Sequence, residues 1–197
     1  MSHDQVSQWL VEVVRVIESI NVQAVAKAAE ALATVQGSGG TVFVAGNGGS
    51  ATTASHFACD LQRWARPDDP RTRAISLSDN VALMTAWGND VSFEQIFAAQ
   101  LQVLARPGDA LVVISVSGSS PNLLTALAVA REKRLVTVGL LGRDGGRALR
   151  LVDYPIVVES EDYGWVESAH LALEHVLTYS LRSKPSQIRG RLPANRP

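Results

Sequence analysis

Thr41-Val-Phe-Val-Ala45 runs directly into Gly46-Asn-Gly-Gly-Ser50. The first five residues are mostly apolar and β-branched, and they read as a short buried strand. The next five are turn formers, and a helical pattern takes over near residue 50. Strand, glycine turn and helix in immediate succession open a parallel α/β unit. The pattern recurs downstream. Strands are expected at Ala74-Ile-Ser-Leu77, Ala110-Leu-Val-Val-Ile-Ser115, Val136-Thr-Val-Gly-Leu140 and Tyr154-Pro-Ile-Val-Val158. Helices are expected near residues 50–64, 80–86, 92–105, 120–133 and 145–151, with a last one from about Trp165 to Leu181. Alternation of this kind implies parallel strands joined by right-handed crossovers. The expected fold class is α/β, a three-layer, doubly wound, five-stranded parallel sheet of flavodoxin-like type. Pro155 has no N–H to give a ladder, which suits an edge strand or a strand's first residue.

Two helices precede the first strand. Val6, Leu10, Val13, Val14, Ile17 and Ile20 recur at helical spacing, and the alanine-rich stretch Val22 to Val35 follows. Gln36-Gly-Ser-Gly-Gly40 stops it. An amphipathic face outside the sheet covers either its own domain or a neighbouring subunit. The expected division is an N-terminal helical extension over 1–38, the sheet domain over 39–182, and a mobile tail over 183–197.

The chain has 197 residues, enough for one domain with a real core. Apolar residues make up 46%, charged residues 19%, and the formal net charge is -1, so no global field draws in nucleic acid or an anionic membrane. No run is long enough to span a bilayer, and no basic start leads into an apolar stretch. A cytoplasmic location is expected. Cys59 is the single cysteine; no internal disulfide forms, and it is expected to be a small buried residue.

In open parallel sheets, ligands bind beyond the C-terminal strand ends. Two loops fall there, Gly46-Asn-Gly-Gly-Ser50 and Ser115-Val-Ser-Gly-Ser-Ser120, the second followed by Pro121 at a helix start. Glycines let backbone N–H groups approach an anion, hydroxyls add donors, and helix N-termini add a favourable dipole. Either loop alone also fits a serine-capped turn; as a pair they can hold one phosphate. Neither has the pattern of a Walker A or dinucleotide loop. His56 and Asp60 share a face of the helix after the first loop. Glu167 and His175 lie about 80° apart around the last helix. Two imidazoles and two carboxylates can bind a divalent metal or move protons. His170 lies off that stripe and is expected to be structural or to face a neighbouring subunit.

At these residues the chain resembles sugar-isomerase (SIS) domain proteins, specifically the phosphoheptose isomerase group. The segments that carry the likeness are Gly46-Asn-Gly-Gly-Ser-Ala51, Ser55-His-Phe-Ala58, Thr85-Ala-Trp-Gly-Asn-Asp90, Arg106-Pro-Gly-Asp109, Ser115-Val-Ser-Gly-Ser-Ser-Pro-Asn122, Gly142-Arg-Asp-Gly-Gly146, and Glu167-Ser-Ala-His170 with His175. The resemblance implies an aldose–ketose isomerase acting on a phosphorylated sugar, interconverting sedoheptulose 7-phosphate and a heptose 7-phosphate. It implies phosphate or substrate contacts from Asn47, Gly48, Gly49, Ser50, Ser115, Val116, Ser117, Ser120, Asn89, Asp90 and Glu167. It implies metal or acid/base roles for His56, Asp60, Glu167 and His175, with zinc as the metal. Asp60 or Glu167 would be the base and His175 its acid/base partner. It also implies a homotetramer with sites built between subunits. The chain departs from the group's pattern at Asp60, where glutamate is usual, and at Glu167, where glutamine is usual. It departs again at Val116 and Ser119, which replace a threonine and an asparagine. Aspartate is about 1.5 Å shorter in reach. The alternative reading is a sugar-phosphate-binding SIS protein with a regulatory or protein-binding role.

Overall fold

A computed structural model describes residues 2–64 and 73–181. Two helices come first, α1 (His3–Glu18) and α2 (Val22–Gly37). The sheet follows as β1 (Thr41–Gly46), β2 (Arg73–Ser76), β3 (Ala110–Ser115), β4 (Val136–Gly142) and β5 (Tyr154–Val158). Interleaved are α3 (Gly49–Trp64), α4 (Val81–Asp90), α5 (Ala98–Leu104) and α6 (Pro121–Glu132), and the described chain ends on α7 (Tyr163–Ser180). All pairings are parallel, in the order β2-β1-β3-β4-β5. This is the three-layer, doubly wound architecture that the alternation implied. The proposed tail, 183–197, lies outside the described residues.

The layers follow from the strands' period of two. Along β1, Val42 and Val44 enter one core with α2, α3 and α7, while Phe43 and Ala45 enter the other with α5 and α6. β3 divides likewise, Val112 and Ile114 to one side and Leu111 and Val113 to the other. Both faces are covered, which explains continuous apolar runs in place of alternating ones. The edge position expected for Pro155 is found: β5 pairs only with β4.

Two expected helices are not continuous. The 92–105 stretch is a single turn of 3-10 helix, Phe93–Gln95, followed by α5. The break comes where Ile96 to Leu101 are all buried, more than one helix face offers. The 145–151 stretch is a short 3-10 turn, Arg147–Arg150. Gly145 and Gly146 have φ of 84° and 53°, left-handed conformations that cannot start an α-helix. Cys59 is exposed rather than buried; the inward stripe of α3 is Ala54, Phe57, Ala58 and Leu61, and position 59 falls outside it.

Buried Asp109 fixes the N-terminal end of the sheet. Its Oδ1 accepts the Thr41 N–H at 2.7 Å and its Oδ2 accepts the Arg106 N–H at 2.8 Å. One carboxylate thus ties the first residue of β1 to the turn that leads into β3. Asp109→Ala is expected to cost about 2–4 kcal/mol in denaturant unfolding, because two backbone donors lose a charged acceptor.

Candidate functional site

The chain leaves β1 toward the α3 side of the sheet and leaves β3 toward the α6 side. β1 and β3 are neighbours, with Gly46 opposite Ile114. Their diverging crossovers open a crevice at the C-terminal strand ends. Asn47 Nδ2 donates to Asn122 Oδ1 at 3.0 Å, and Asn122 Nδ2 donates to Asn47 Oδ1 at 2.8 Å, locking the two loops together. The second loop braces itself: the Gly118 N–H donates to Ser115 Oγ at 3.0 Å and the Ser119 N–H to Ser117 Oγ at 3.3 Å.

Between the loops lies a cup of about 120 Å³, walled by Asn47, Ser50, Ser115, Val116, Ser117 and Ser120, with Tyr163 and Glu167 at its side. That is room for roughly four waters, the scale of a small anion. Among the described residues, no lysine or arginine lines it. Charge stabilisation there falls to hydroxyls, amides and the N-termini of α3 and α6, which begin at Gly49 and Pro121. Ser120 caps α6 without a side-chain cap bond, so its hydroxyl stays available.

The titratable cluster sits deeper along α3 and α7. One ligand-type atom from each of His56, Asp60, Glu174 and His175 lies within 4.8 Å of the others. His175 Nε2 is 3.2 Å from Glu174 Oε1 and 3.9 Å from Asp60 Oδ2. His56 approaches Glu174 Oε1 at 3.4 Å through Nδ1 and Asp60 Oδ2 at 3.7 Å through Nε2. The two rings meet edge to face, centroids 5.1 Å apart. Both rings are about half exposed, whereas Glu174 is fully buried. Neither oxygen of its carboxylate completes a hydrogen bond. Burial and the charge of Asp60 push Glu174 up to about 7, and nearby Thr178 tempers the rise without reaching hydrogen-bond geometry. Such a set of two nitrogens and two oxygens can hold a divalent cation.

His56, Asp60 and His175 therefore converge, but Glu167 does not join them. Its carboxylate occupies the space left by the missing side chain of Gly49. It lines both the cup and a second cavity of about 490 Å³ shared with Trp9, Thr52 and His56. Eight residues of α-helix put about 12 Å of rise between Glu167 and His175, which the angular spacing conceals. Glu174 went unread. Its signal was a charge in the inward stripe of α7, among Val166, Ala169, His170, Leu173 and Leu177. Asn89 and Asp90, at the end of α4, are exposed, bond to each other and line neither cavity.

Residues 8–142 match the SIS domain family. The chain is 44% identical over 153 residues to a phosphoheptose isomerase of Trichlorobacter lovleyi, covering 78% of each chain. It is 42% identical over 166 residues to one of Geotalea daltonii, covering 83% of this chain and 86% of the relative. A phosphoheptose isomerase structure from Francisella tularensis superposes with a TM-score of 0.88 at 30% identity, over 93% of this chain and all of that one. This chain belongs to the phosphoheptose isomerase family of SIS-domain proteins.

In this phosphoheptose isomerase family member, α7 also carries His170, which is completely buried. Burial pushes its ring from 6.5 down to about 4, tempered by the Leu141 backbone. Between those values the unfolded chain binds a proton that the folded chain refuses, so stability falls as pH drops through the window. His170→Gln removes this loss. Its stability relative to wild type is expected to rise by about 3 kcal/mol on going from about pH 7 to about pH 4, read by denaturant unfolding at each pH.

Proposed function

We propose that the chain isomerises a phosphorylated sugar between ketose and aldose forms, with sedoheptulose 7-phosphate and a heptose 7-phosphate as the pair. One observation carries the reading: the neutral-donor cup and the His56, Asp60 and His175 cluster are joined along one wall by Glu167, which lines the cup and the cavity that reaches His56. An extended phosphosugar fits that layout, with its ester in the cup and its carbonyl end at the cluster. The family relationship supports the same reaction.

The cup binds and aligns the ester, and that binding energy is available at the reacting end. A carboxylate beside the path, Asp60 or Glu167, takes the proton from the carbon next to the carbonyl. His175 moves the oxygen-bound proton, and an enediol forms between the two steps. The cluster's chemistry fits zinc: two imidazoles, Asp60 and a buried carboxylate whose oxygens complete no hydrogen bond are what a borderline cation selects. His56, Asp60, His175 and a carboxylate of α7 would hold it, and the ion would polarise the sugar's carbonyl oxygen.

The exposed apolar side of α1, with Val6, Leu10, Val14 and Ile17, supports a homotetramer. So do Asn89 and Asp90, which the reaction needs from elsewhere if they are to touch a sugar. No helix among the described residues is long and apolar enough to cross a membrane, and a cytoplasmic location is proposed.

The test is direct incubation with sedoheptulose 7-phosphate, following aldose formation. Turnover is expected in the wild type, and His175→Ala should lower it by at least about 100-fold, the usual scale for a lost acid/base group. Absence of turnover, with the phosphosugar still raising the melting temperature, would replace this reading with a non-catalytic sugar-phosphate binder. Asp60→Glu is expected to change the rate by up to about 100-fold, since a misplacement near 1 Å carries that penalty. An increase marks the short side chain as a handicap, and a loss marks a site built around it.

A further inference from the structure

We propose that Glu174, not Glu167, is the carboxylate of α7 that binds the divalent ion, leaving Glu167 to face the sugar between the cup and the ion. The proposal rests on the metal-assisted isomerase reading above and divides the two glutamates of one helix between two tasks.

Glu174 sits with no exposed surface, and neither carboxylate oxygen completes a hydrogen bond. The groups its Oε1 meets are the two histidine rings, at 3.4 Å and 3.2 Å. A buried carboxylate without donors is expensive unless a cation stands beside it. The spacing points the same way. In a tetrahedral zinc site with bonds of about 2.0–2.2 Å, ligand atoms stand about 3.3–3.6 Å from one another. His175 Nε2 stands 3.2 Å from Glu174 and 3.9 Å from Asp60, and His56 Nδ1 stands 3.4 Å from Glu174, so the Glu174 contacts lie closest to that edge length. The four ligand atoms all lie within 4.8 Å of one another, and side-chain adjustment closes the shell. The two carboxylates and two neutral imidazoles also cancel the charge of a divalent ion.

Glu167 is placed for something else. It lies seven residues earlier on α7, about 10 Å along the axis. Its carboxylate fits where Gly49 has no side chain, on the wall common to both cavities. A phosphosugar anchored in the cup passes it before reaching His56. A carboxylate there offers two acceptor oxygens to sugar hydroxyls, and it is a poor neighbour for the phosphate itself.

The experiment uses chelator-stripped full-length protein as wild type, Glu174→Gln and Glu167→Gln. Each is titrated with Zn2+ against a chromophoric chelator, and melting is followed with and without the ion. Glu174→Gln is expected to bind zinc at least about 100-fold more weakly, beyond the roughly 10–100-fold typical of a lost outer partner. Metal-free Glu174→Gln should melt above the metal-free wild type, because an unpaired buried charge is gone. Glu167→Gln should keep zinc affinity within about twofold, below even the loss typical of an outer partner, and instead weaken the melting shift given by the sugar phosphate. The opposite pattern, zinc lost in Glu167→Gln and kept in Glu174→Gln, overturns the division and leaves a metal-dependent isomerase standing. A wild type that takes up no zinc removes the metal centre itself, and the division falls with it.

Discussion

Asn47 and Asn122 exchange two side-chain hydrogen bonds across the gap where the winding of the chain changes sides of the sheet. Everything at the C-terminal face depends on that tie. β1 feeds α3 on one side and β3 feeds α6 on the other, so beyond the Gly46–Ile114 pair the ladder no longer holds the two loops together. The amide pair does. It sets the width of the cup and aims two helix N-termini at one volume. Among the described residues the cup offers an anion only such aligned dipoles and hydroxyls, and their worth falls off within a turn of the helix end. Alignment therefore takes the place of formal charge.

The second constraint is a charge in the wrong solvent. Glu174 occupies the inward stripe of α7, where Val166, Ala169, Leu173 and Leu177 build the core. A residue chosen for stability there would be apolar. Asp60 next to it makes ionisation harder still, and the carboxyl is pushed up to about 7 as a result. A fold tolerates such an arrangement when something relieves it, and a divalent ion relieves both causes at once. His170, one turn earlier in the same stripe, is a different case. Its ring is equally buried and stays neutral; its nitrogens complete no hydrogen bond, a cost at every pH to which acid adds another.

The sheet was legible because both of its faces are covered. Full burial writes each strand as a compact apolar run, and the turn residues between them mark the crossovers. The cup was legible for a related reason: two glycine- and serine-rich turns, each an ordinary capped turn alone, follow neighbouring buried strands at equivalent ends. Helices were less faithful. A helix pattern persists through residues 145–151, but the left-handed Gly145 and Gly146 permit only a 3-10 turn. The cluster was read by angle alone. His56 and Asp60 stand one turn apart on α3, and His175 of α7 meets them. Glu167 faces close to the same side of α7 as His175 but stands about 12 Å from it along the axis. Glu174 was the better-marked residue, since a carboxylate in a core stripe needs a reason.

Asp60 and Glu174 are best understood together. The family resemblance calls for glutamate at position 60, and this chain has the shorter side chain there. Its carboxylate stands 3.7 Å and 3.9 Å from the two rings, farther than the 3.4 Å and 3.2 Å of Glu174. The reach that α3 gives up is restored from α7, across the packed interface of the two helices. The two carboxylates then differ in character. Glu174 is locked in the core with no water to exchange protons with, whereas Asp60 keeps part of its side chain in solvent. An ion is better held by the locked one, because its position costs no further ordering. A proton is better moved by the one that water can reach.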